Sequence, residues 1–222
     1  MPSKNVFVVS STINANIGYI SNQDRFRETL QTIESIRRYA KDSIILLVDN
    51  STLRLDSNLE SILTRMVDFY LYIGDRKPAI EFNKNGVRSA GEAYLFLVAL
   101  DFIENSIKED VHRVFKISGR YRLTEDFDVT EYDQERYKGT YCFRENDSDK
   151  DVCLHTRLWS FCYTLKSDAK NTIQQCFKTI FDKQINIEEA LFIHIDKKLL
   201  IMNKKIHCEG RPALWNNIHI TE

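Results

Sequence analysis

The sequence predicts an α/β fold in which a mostly parallel sheet is flanked by helices and completed by a mixed second half. Two observations carry this prediction. Short apolar runs alternate with amphipathic stretches through the first half, and three successive strand–helix–strand passages imply parallel strands with right-handed crossovers. The chain has 222 residues, of which 43% are apolar, so we expect one domain with a sizeable core.

The elements of the first half follow from apolar patterns that end in polar turn residues. The predicted strands cover residues 6–9, 44–48, 69–73 and 114–117. Ser21 and Asp24 stand at the spacing of a capping box before an amphipathic helix, and a shorter helix precedes the third strand. Ser89 and Glu92 repeat that spacing before a helix that is apolar on most sides and is expected to be central. Residues 83–88 are expected to form a polar loop.

The second half of the chain has a different pattern. Residues 141–143 and 158–163 are predicted strands, and the charged run 145–151 lies between them. Two helices follow, the second beginning near Asn186, and a last strand is predicted over residues 199–207. No linker separates the halves, so both are expected to belong to one domain.

Charge and cysteine use exclude several classes of function. The chain has 31 Lys and Arg against 32 Asp and Glu, which removes the electrostatic case for a nucleic-acid binder but leaves room for a local basic pocket. The five cysteines lack a C-x-x-C pair and are interpreted as buried thiols in a reducing compartment. Neither a signal-peptide pattern nor an apolar run of membrane-spanning length is present, so a cytoplasmic protein without a transmembrane segment is expected.

Polar residues cluster where three of the predicted parallel strands end, and ligands of open α/β sheets bind at that edge. The cluster residues are Ser10, Ser11 and Thr12, then Asp49 and Asn50, and then Ser118, Gly119 and Arg120. Arg88 stands at a helix start, where a guanidinium and the helix dipole favour the same anion. One polar loop alone is ordinary, but the three together with Arg88 predict a ligand site.

The order of these segments resembles the GT-A fold of nucleotide-sugar glycosyltransferases, the nucleotide-diphospho-sugar transferases. The turn from Asp49 to Thr52 is similar to the one by which such enzymes hold the nucleoside, and the Asn-Gly-Val-Arg segment ending at Arg88 stands where they carry a Gly-containing loop. The resemblance implies one GT-A-like domain with a Rossmann-like sheet over residues 1–222. Residues 1–121 would form its nucleotide-binding half and residues 122–222 its acceptor-binding half.

The resemblance also implies a function: transfer of a sugar from a nucleoside diphosphate, such as a UDP-sugar, to a hydroxyl of a glycan or glycolipid acceptor, as in polysaccharide biosynthesis. The implied nucleotide-sugar contacts are Ser10, Ser11, Thr12, Asp49, Asn50, Arg88 and Ser118. Glu188 and Glu189 resemble the acidic pair that opens a late helix in such enzymes. Asn186 and Glu189 also fit a capping pattern, so Glu188 is the better candidate base for the acceptor hydroxyl. Glu189, His207 and Glu209 are the predicted acceptor-binding residues.

One departure from the family concerns the metal. Metal-dependent members end the fourth strand in D-x-D, which holds Mn²⁺ or Mg²⁺, whereas this register carries Lys116, Ser118 and Arg120. We therefore assign no metal cofactor, with Mn²⁺ or Mg²⁺ left as the alternative, and expect Lys116 and Arg120 to act as catalytic cations that neutralise the diphosphate directly. Two alternatives stay open: Lys116 faces the other side of its strand, or Arg120 pairs with a carboxylate. Asp147 and Asp149 form a literal D-x-D, interpreted as part of a solvated loop.

Two other functions remain open at this point. A sugar nucleotidyltransferase shares such a fold but usually opens with a G-x-G-T-R segment, which residues 10–14 lack. A degenerate, non-catalytic domain that binds sugar or protein is the other, because the D-x-D is missing from its usual position.

Overall fold

In a computed structural model, which describes residues 3–15, 20–145, 153–211 and 220–221, the chain forms a layered α/β structure. The strands are β1 (Lys4–Ser11), β2 (Ile44–Asp49), β3 (Phe69–Tyr72), β4 (Val111–Ser118), β5 (Tyr121–Leu123), β6 (Tyr141–Arg144), β7 (Leu158–Cys162), β8 (Leu200–Asn203), β9 (Cys208–Gly210) and β10 (Ile220–Thr221). The α-helices are α1 (Asn22–Tyr39), α2 (Ser57–Met66), α3 (Lys77–Asn85), α4 (Arg88–Ser106), α5 (Lys166–Lys183) and α6 (Ile187–His194).

The main sheet confirms the predicted topology. Among the described residues its strand order is β3-β2-β1-β4-β7-β6-β8. β1 pairs in parallel with β2 and β4, and β2 pairs in parallel with β3, so these four strands end at one edge. β7 runs antiparallel to both β4 and β6, and β8 is parallel to β6, which gives the second half its mixed character. We call the edge at which β1, β2 and β4 end the carboxyl edge.

Side-chain alternation along β1 divides the interior into two layers. Val6 and Val8 pack with α4, α5 and α6 on one face of the sheet. Phe7 and Val9 pack with α1 and α2 on the other face. β2 is buried over its full length, as expected of a strand covered on both faces. Buried residues of α4 lie around much of its circumference, which confirms its predicted central position.

The segment before α4 corrects two local predictions. Residues 83–85, expected in a polar loop, form the end of α3, with Pro in its first turn and Gly86 in the left-handed conformation (φ 68°) at its C-cap. The spacing of Ser89 and Glu92 is not a capping box, because α4 is capped at Val87 without a side-chain hydrogen bond. Glu92 therefore lies inside the helix, and its carboxylate is available to another partner.

The last predicted strand is also corrected. Residues 199–207 do not form one strand: β8 ends at Asn203, and β9 begins at Cys208. His207 has a φ of 54°, a left-handed conformation that interrupts an extended chain. β9 then joins β5 and β10 in a small second sheet, whose order is β10-β9-β5 among the described residues.

Candidate functional site

The structure brings the three predicted polar clusters together at the carboxyl edge. Ser10 of β1 lies in register with Ser118 of β4, and Ser11 lies in register with Asp49 of β2. The Gly119 amide donates to the Ser10 carbonyl at 2.8 Å. A Cβ at Gly119 would lie 3.0 Å from Thr29 Oγ1, so the turn after β4 can approach β1 and α1 because this residue has no side chain. The clusters thus form one continuous rim.

Two of the rim hydroxyls are not equivalent. Ser11 is buried, and its hydroxyl shares a 3.0 Å hydrogen bond with that of Thr29 on α1. Ser10 and Thr12 are half-buried, and the Thr12 carbonyl accepts from Arg25 at 3.3 Å. Ser10 and Thr12 are therefore the more exposed of these residues at the end of β1, and the Ser10 hydroxyl donates a long hydrogen bond of 3.5 Å to the Ile117 carbonyl.

Asp49 has a different environment from the one expected of a nucleoside contact. Its side chain is fully enclosed, and Oδ1 accepts from the Ser51 hydroxyl at 2.6 Å and from the Ser51 and Ile13 amides. Tyr70 of β3 donates to Oδ2 at 3.3 Å. In this structure the carboxylate fastens the turn after β2 to its neighbours, which corrects the expectation that it faces a ribose or base.

Burial raises the pKa of Asp49 from its ordinary 3.8 to about 6, and the hydrogen bonds from Ser51, Ile13 and Tyr70 oppose that rise. Because the folded-state pKa is the higher one, the stability contributed by the protonated form is lost as the pH rises from about 4 to about 6. Asp49→Asn cannot ionise. We expect its free energy of unfolding, relative to wild type, to rise by about 3 kcal/mol across this window. Denaturant titrations at pH 4 and 7 measure it, and parallel pH curves for the two proteins would contradict the enclosed carboxylate.

Asn50 follows Asp49 at the end of β2 and has a side-chain oxygen without a hydrogen-bond partner among the described residues. Its side chain is only 6% exposed. A Cβ on Gly91 of α4 would lie 3.4 Å from Asn50 Nδ2, so α4 packs closely beside this amide. An unpaired buried amide oxygen is costly unless a donor reaches it. At the end of β2, Asn50 Oδ1 is therefore an unpaired acceptor among the described residues, but it is enclosed like the Asp49 carboxylate, and its nucleoside contact stays a prediction.

Three arginines gather at the same edge from α1, α4 and the turn after β4. Burial lowers the pKa of Arg25, and the positive charges of Arg120 and Arg88 lower it further, while Glu28 raises it. Arg88 is exposed, and its guanidinium makes no hydrogen bond or ion pair with any described residue. Arg120 donates to the Arg211 carbonyl at 3.4 Å and lies against the Tyr121 ring, with no carboxylate partner among the described residues. We call Arg25, Arg88 and Arg120 the arginine cluster.

Lys116 does not join this cluster. It is 2% exposed, shares with Val114 the face of β4 that α4 covers, and forms an ion pair with Glu92 of α4. Its Nζ also donates to the Thr156 carbonyl at 2.9 Å. The expectation that Lys116 neutralises the diphosphate directly is corrected, because its charge is already paired in the interior.

Glu188 lies beside this ion pair, at the start of α6. Its Oε1 accepts from the Thr156 hydroxyl at 2.8 Å, and its backbone carbonyl accepts from the Leu154 amide at 3.1 Å. Burial raises the pKa of Glu188, and the charge of Glu92 raises it further, while Thr156 and Lys116 lower it. A carboxylate whose pKa is raised toward neutrality is suited to proton transfer.

The three predicted acceptor-binding residues are dispersed. Glu189 lies in the cap of α6: its amide donates to Asn186 Oδ1 at 2.7 Å, and its carboxylate accepts from Asn186 Nδ2 at 2.9 Å. Glu209 of β9 pairs with Arg122 of β5 at 2.6 Å. The carbonyl of His207 accepts from Thr124, also at the small sheet. β9 packs with the α1 layer, whereas α6 packs in the other layer, so the structure does not bring His207 and Glu209 to Glu188.

The described residues at the carboxyl edge do not offer a set of ligands for a divalent metal ion. In the described ranges no group of three His, Cys, Asp or Glu side chains is positioned to hold one. The end of β4 presents Arg120 beside Arg25 and Arg88, and such cations repel a metal. Asp147 and Asp149, the literal D-x-D, lie outside the described residues.

Comparison with known proteins bears on the fold. No protein-family model and no curated protein sequence matches the chain. A solved glycosyltransferase involved in the glycosylation of the major capsid of PBCV-1 is 7% identical, with 91% of this chain and 81% of that chain covered and a TM-score of 0.50. Core-mannan synthase A from Aspergillus fumigatus, in an Mn/GDP form, is 6% identical, with 90% and 72% covered and a TM-score of 0.53.

A third similar structure is a protein assigned as a glucose-1-phosphate thymidylyltransferase, from Bacillus anthracis and in complex with a sucrose. It is 10% identical, with 91% of this chain and 86% of that chain covered and a TM-score of 0.53. The chain therefore has a GT-A-like nucleotide-diphospho-sugar transferase fold. Within the part of the chain that the structure describes, no helix is long and apolar enough to cross a membrane.

Proposed function

We propose that the protein is a glycosyltransferase that moves a sugar from a nucleoside-diphosphate sugar to an acceptor hydroxyl. One observation carries the proposal: in a GT-A-like sheet, the carboxyl edge combines the arginine cluster with a half-buried carboxylate, Glu188, on the α4 side. Cations suit the departing diphosphate, and a carboxylate of raised pKa suits the incoming hydroxyl.

The donor is bound by groups that the structure leaves available. The half-buried hydroxyls of Ser10, Thr12 and Ser118, at the ends of β1 and β4, hydrogen-bond the nucleoside, and the enclosed amide of Asn50 lies at the end of β2. Arg88 and the first amides of α4 contact the diphosphate, since α4 begins without a side-chain cap. Arg120 approaches the same group from β4. Guanidinium groups match phosphate oxygens in bidentate geometry, which favours this assignment.

The chemistry divides between the two sides of the site. The bond from the sugar to the diphosphate breaks with its electron pair on the diphosphate, where Arg88 and Arg120 stabilise the new charge. The acceptor oxygen forms the new bond to the sugar, and its proton passes to the Glu188 carboxylate. A glycan or glycolipid hydroxyl is the proposed acceptor, which would place the protein in polysaccharide assembly.

A sugar nucleotidyltransferase is the second candidate function, because one of the similar structures is assigned that activity. Thermal unfolding with a panel of nucleotide-sugars in EDTA separates the candidates. We expect a nucleoside-diphosphate sugar at roughly a hundred times its Kd to raise Tm by about 5–10 °C. Assays of the stabilising sugar with hydroxyl acceptors should then show transfer. Stabilisation only by a nucleoside triphosphate with a sugar phosphate would favour the nucleotidyltransferase, and binding without transfer would favour a non-catalytic domain.

A further inference from the structure

A largely buried polar unit, made of Lys116, Glu92, Thr156 and the half-buried Glu188, contains two residues that the site prediction did not include, Thr156 and Glu92. Thr156, in the segment before β7, contacts both sides of the unit: its carbonyl accepts from Lys116 Nζ at 2.9 Å, and its hydroxyl donates to Glu188 Oε1 at 2.8 Å. Lys116 in turn forms its ion pair with Glu92. One residue thus connects the Lys116–Glu92 pair to the proposed base.

The members of this unit differ in how far they are shielded from solvent. Thr156 is 6% exposed and Lys116 2% exposed, whereas the side chain of Glu92 is 29% exposed. A buried ion pair costs desolvation energy and is weak evidence for stability alone. Here one ammonium faces two carboxylates from two helices, an arrangement that keeps one of the carboxylates able to gain a proton.

We propose that Thr156, Lys116 and Glu92 are positioning residues for Glu188, which orient its carboxylate and set the pH at which it accepts the proton of the acceptor hydroxyl. The inference rests on the proposed function. Thr156 occupies Oε1 as a donor and so leaves Oε2 for the proton. Lys116 favours the charged form of Glu188, and Glu92 disfavours it.

Among the described residues, titratable and charged groups come toward Glu188 from α4, β4, α5 and the segment before β7. Glu92 projects from α4 and Lys116 from β4. α5 packs against α6 with a buried face of Ala169, Thr172, Ile173, Cys176 and Ile180, in which Cys176 is the titratable residue and burial raises its pKa. His155 and Arg157 flank Thr156 in the same segment. Because Glu92 and Lys116 carry opposite charges, removing one or the other should shift the titration of Glu188 in opposite directions.

The experiment follows the side-chain carboxyl carbon of Glu188 by ¹³C NMR as the pH is changed, and the midpoint of its titration is measured. The resonance is identified because it is absent from the spectrum of Glu188→Gln. We expect Lys116→Met and Thr156→Val each to raise the midpoint, the former by about one pH unit. Thr156→Ser, which keeps the hydroxyl, should restore the wild-type midpoint. Glu92→Gln should lower the midpoint, because the repulsion between the Glu92 and Glu188 carboxylates is removed. Lys116 can still donate to the Thr156 carbonyl and attract the Glu188 carboxylate. A general loosening of the fold would instead shift the Glu188 midpoint of all the variants in the same direction.

The same variants are then followed by the pH dependence of sugar transfer. Turnover requires ionised Glu188, so the acidic limb of the kcat profile should move with the NMR midpoint in each variant. Unshifted midpoints, or a rise in Glu92→Gln, would overturn the positioning unit. Midpoints that shift as expected in a protein without any transfer activity would overturn the proposed function and leave the unit in place.

Discussion

Glu188→Gln is expected to lower the rate of sugar transfer by about 10²–10⁴-fold, the usual contribution of a general base. Gln keeps the shape of the side chain and can still accept from the Thr156 hydroxyl, so the fold and donor binding should be retained. What is lost is the ability to take the proton of the acceptor. Steady-state kinetics with saturating donor and acceptor measure the change in kcat.

The neighbouring carboxylate offers a matched control. Glu189 belongs to the cap of α6 and is not included in the proposed catalytic site. Glu189→Gln can keep a side-chain hydrogen bond with Asn186, and Gln suits this capping position, so its activity should stay near wild type. Equal and mild losses of activity in the two variants would indicate that both residues have a structural role. A large loss confined to Glu189→Gln would show that the other carboxylate is the base.

Arg120→Ala should slow turnover by about 10²–10³-fold, as removal of a charge-stabilising donor does in other active sites. It should weaken nucleoside binding much less, because the negative charge on the diphosphate grows as the sugar departs. Activity of the wild type should persist in EDTA. Kinetics in EDTA, together with the Kd of the nucleoside diphosphate, separate the two effects.

Arg27→Ala is the control for a general loss of positive charge. Arg27 is an exposed residue of α1 that pairs with Asp24 on the surface, so its loss should leave turnover unchanged.

Complete loss of wild-type activity in EDTA, with rescue by Mn²⁺, would show that a metal and not the arginine cluster stabilises the leaving group.

The fold could be predicted where local pattern and packing agree. β2 is continuously apolar because both of its faces are covered, and Ser21 caps α1 through the Asp24 amide, as their spacing predicted. α3 was missed because it is short and largely polar. Its signals, Pro78 in the first turn and Gly86 at the C-cap, were present in the sequence.

The site could be predicted only in outline. That β1, β2 and β4 end together follows from the topology, and this placed the polar clusters correctly at one edge. The partners of each side chain depend on packing between distant elements. Asp49 is enclosed because Tyr70 reaches it from β3, and Lys116 is paired because Glu92 faces it from α4. A lysine in the otherwise apolar run Val-Phe-Lys-Ile was the one sequence signal of such a partner.

In the proposed site, the carboxyl edge binds a nucleoside diphosphate through arginines and without a metal. Calorimetric titration of UDP and GDP in EDTA, into wild type and Arg88→Ala, measures this binding. The Arg88 side chain makes no hydrogen bond or ion pair within the described residues, so the variant should fold normally. We predict saturable binding of one nucleotide to wild type and at least about tenfold weaker binding to Arg88→Ala, as for a lost charge-assisted hydrogen bond. Binding that requires Mn²⁺, or an equal Kd for both proteins, would contradict the claim.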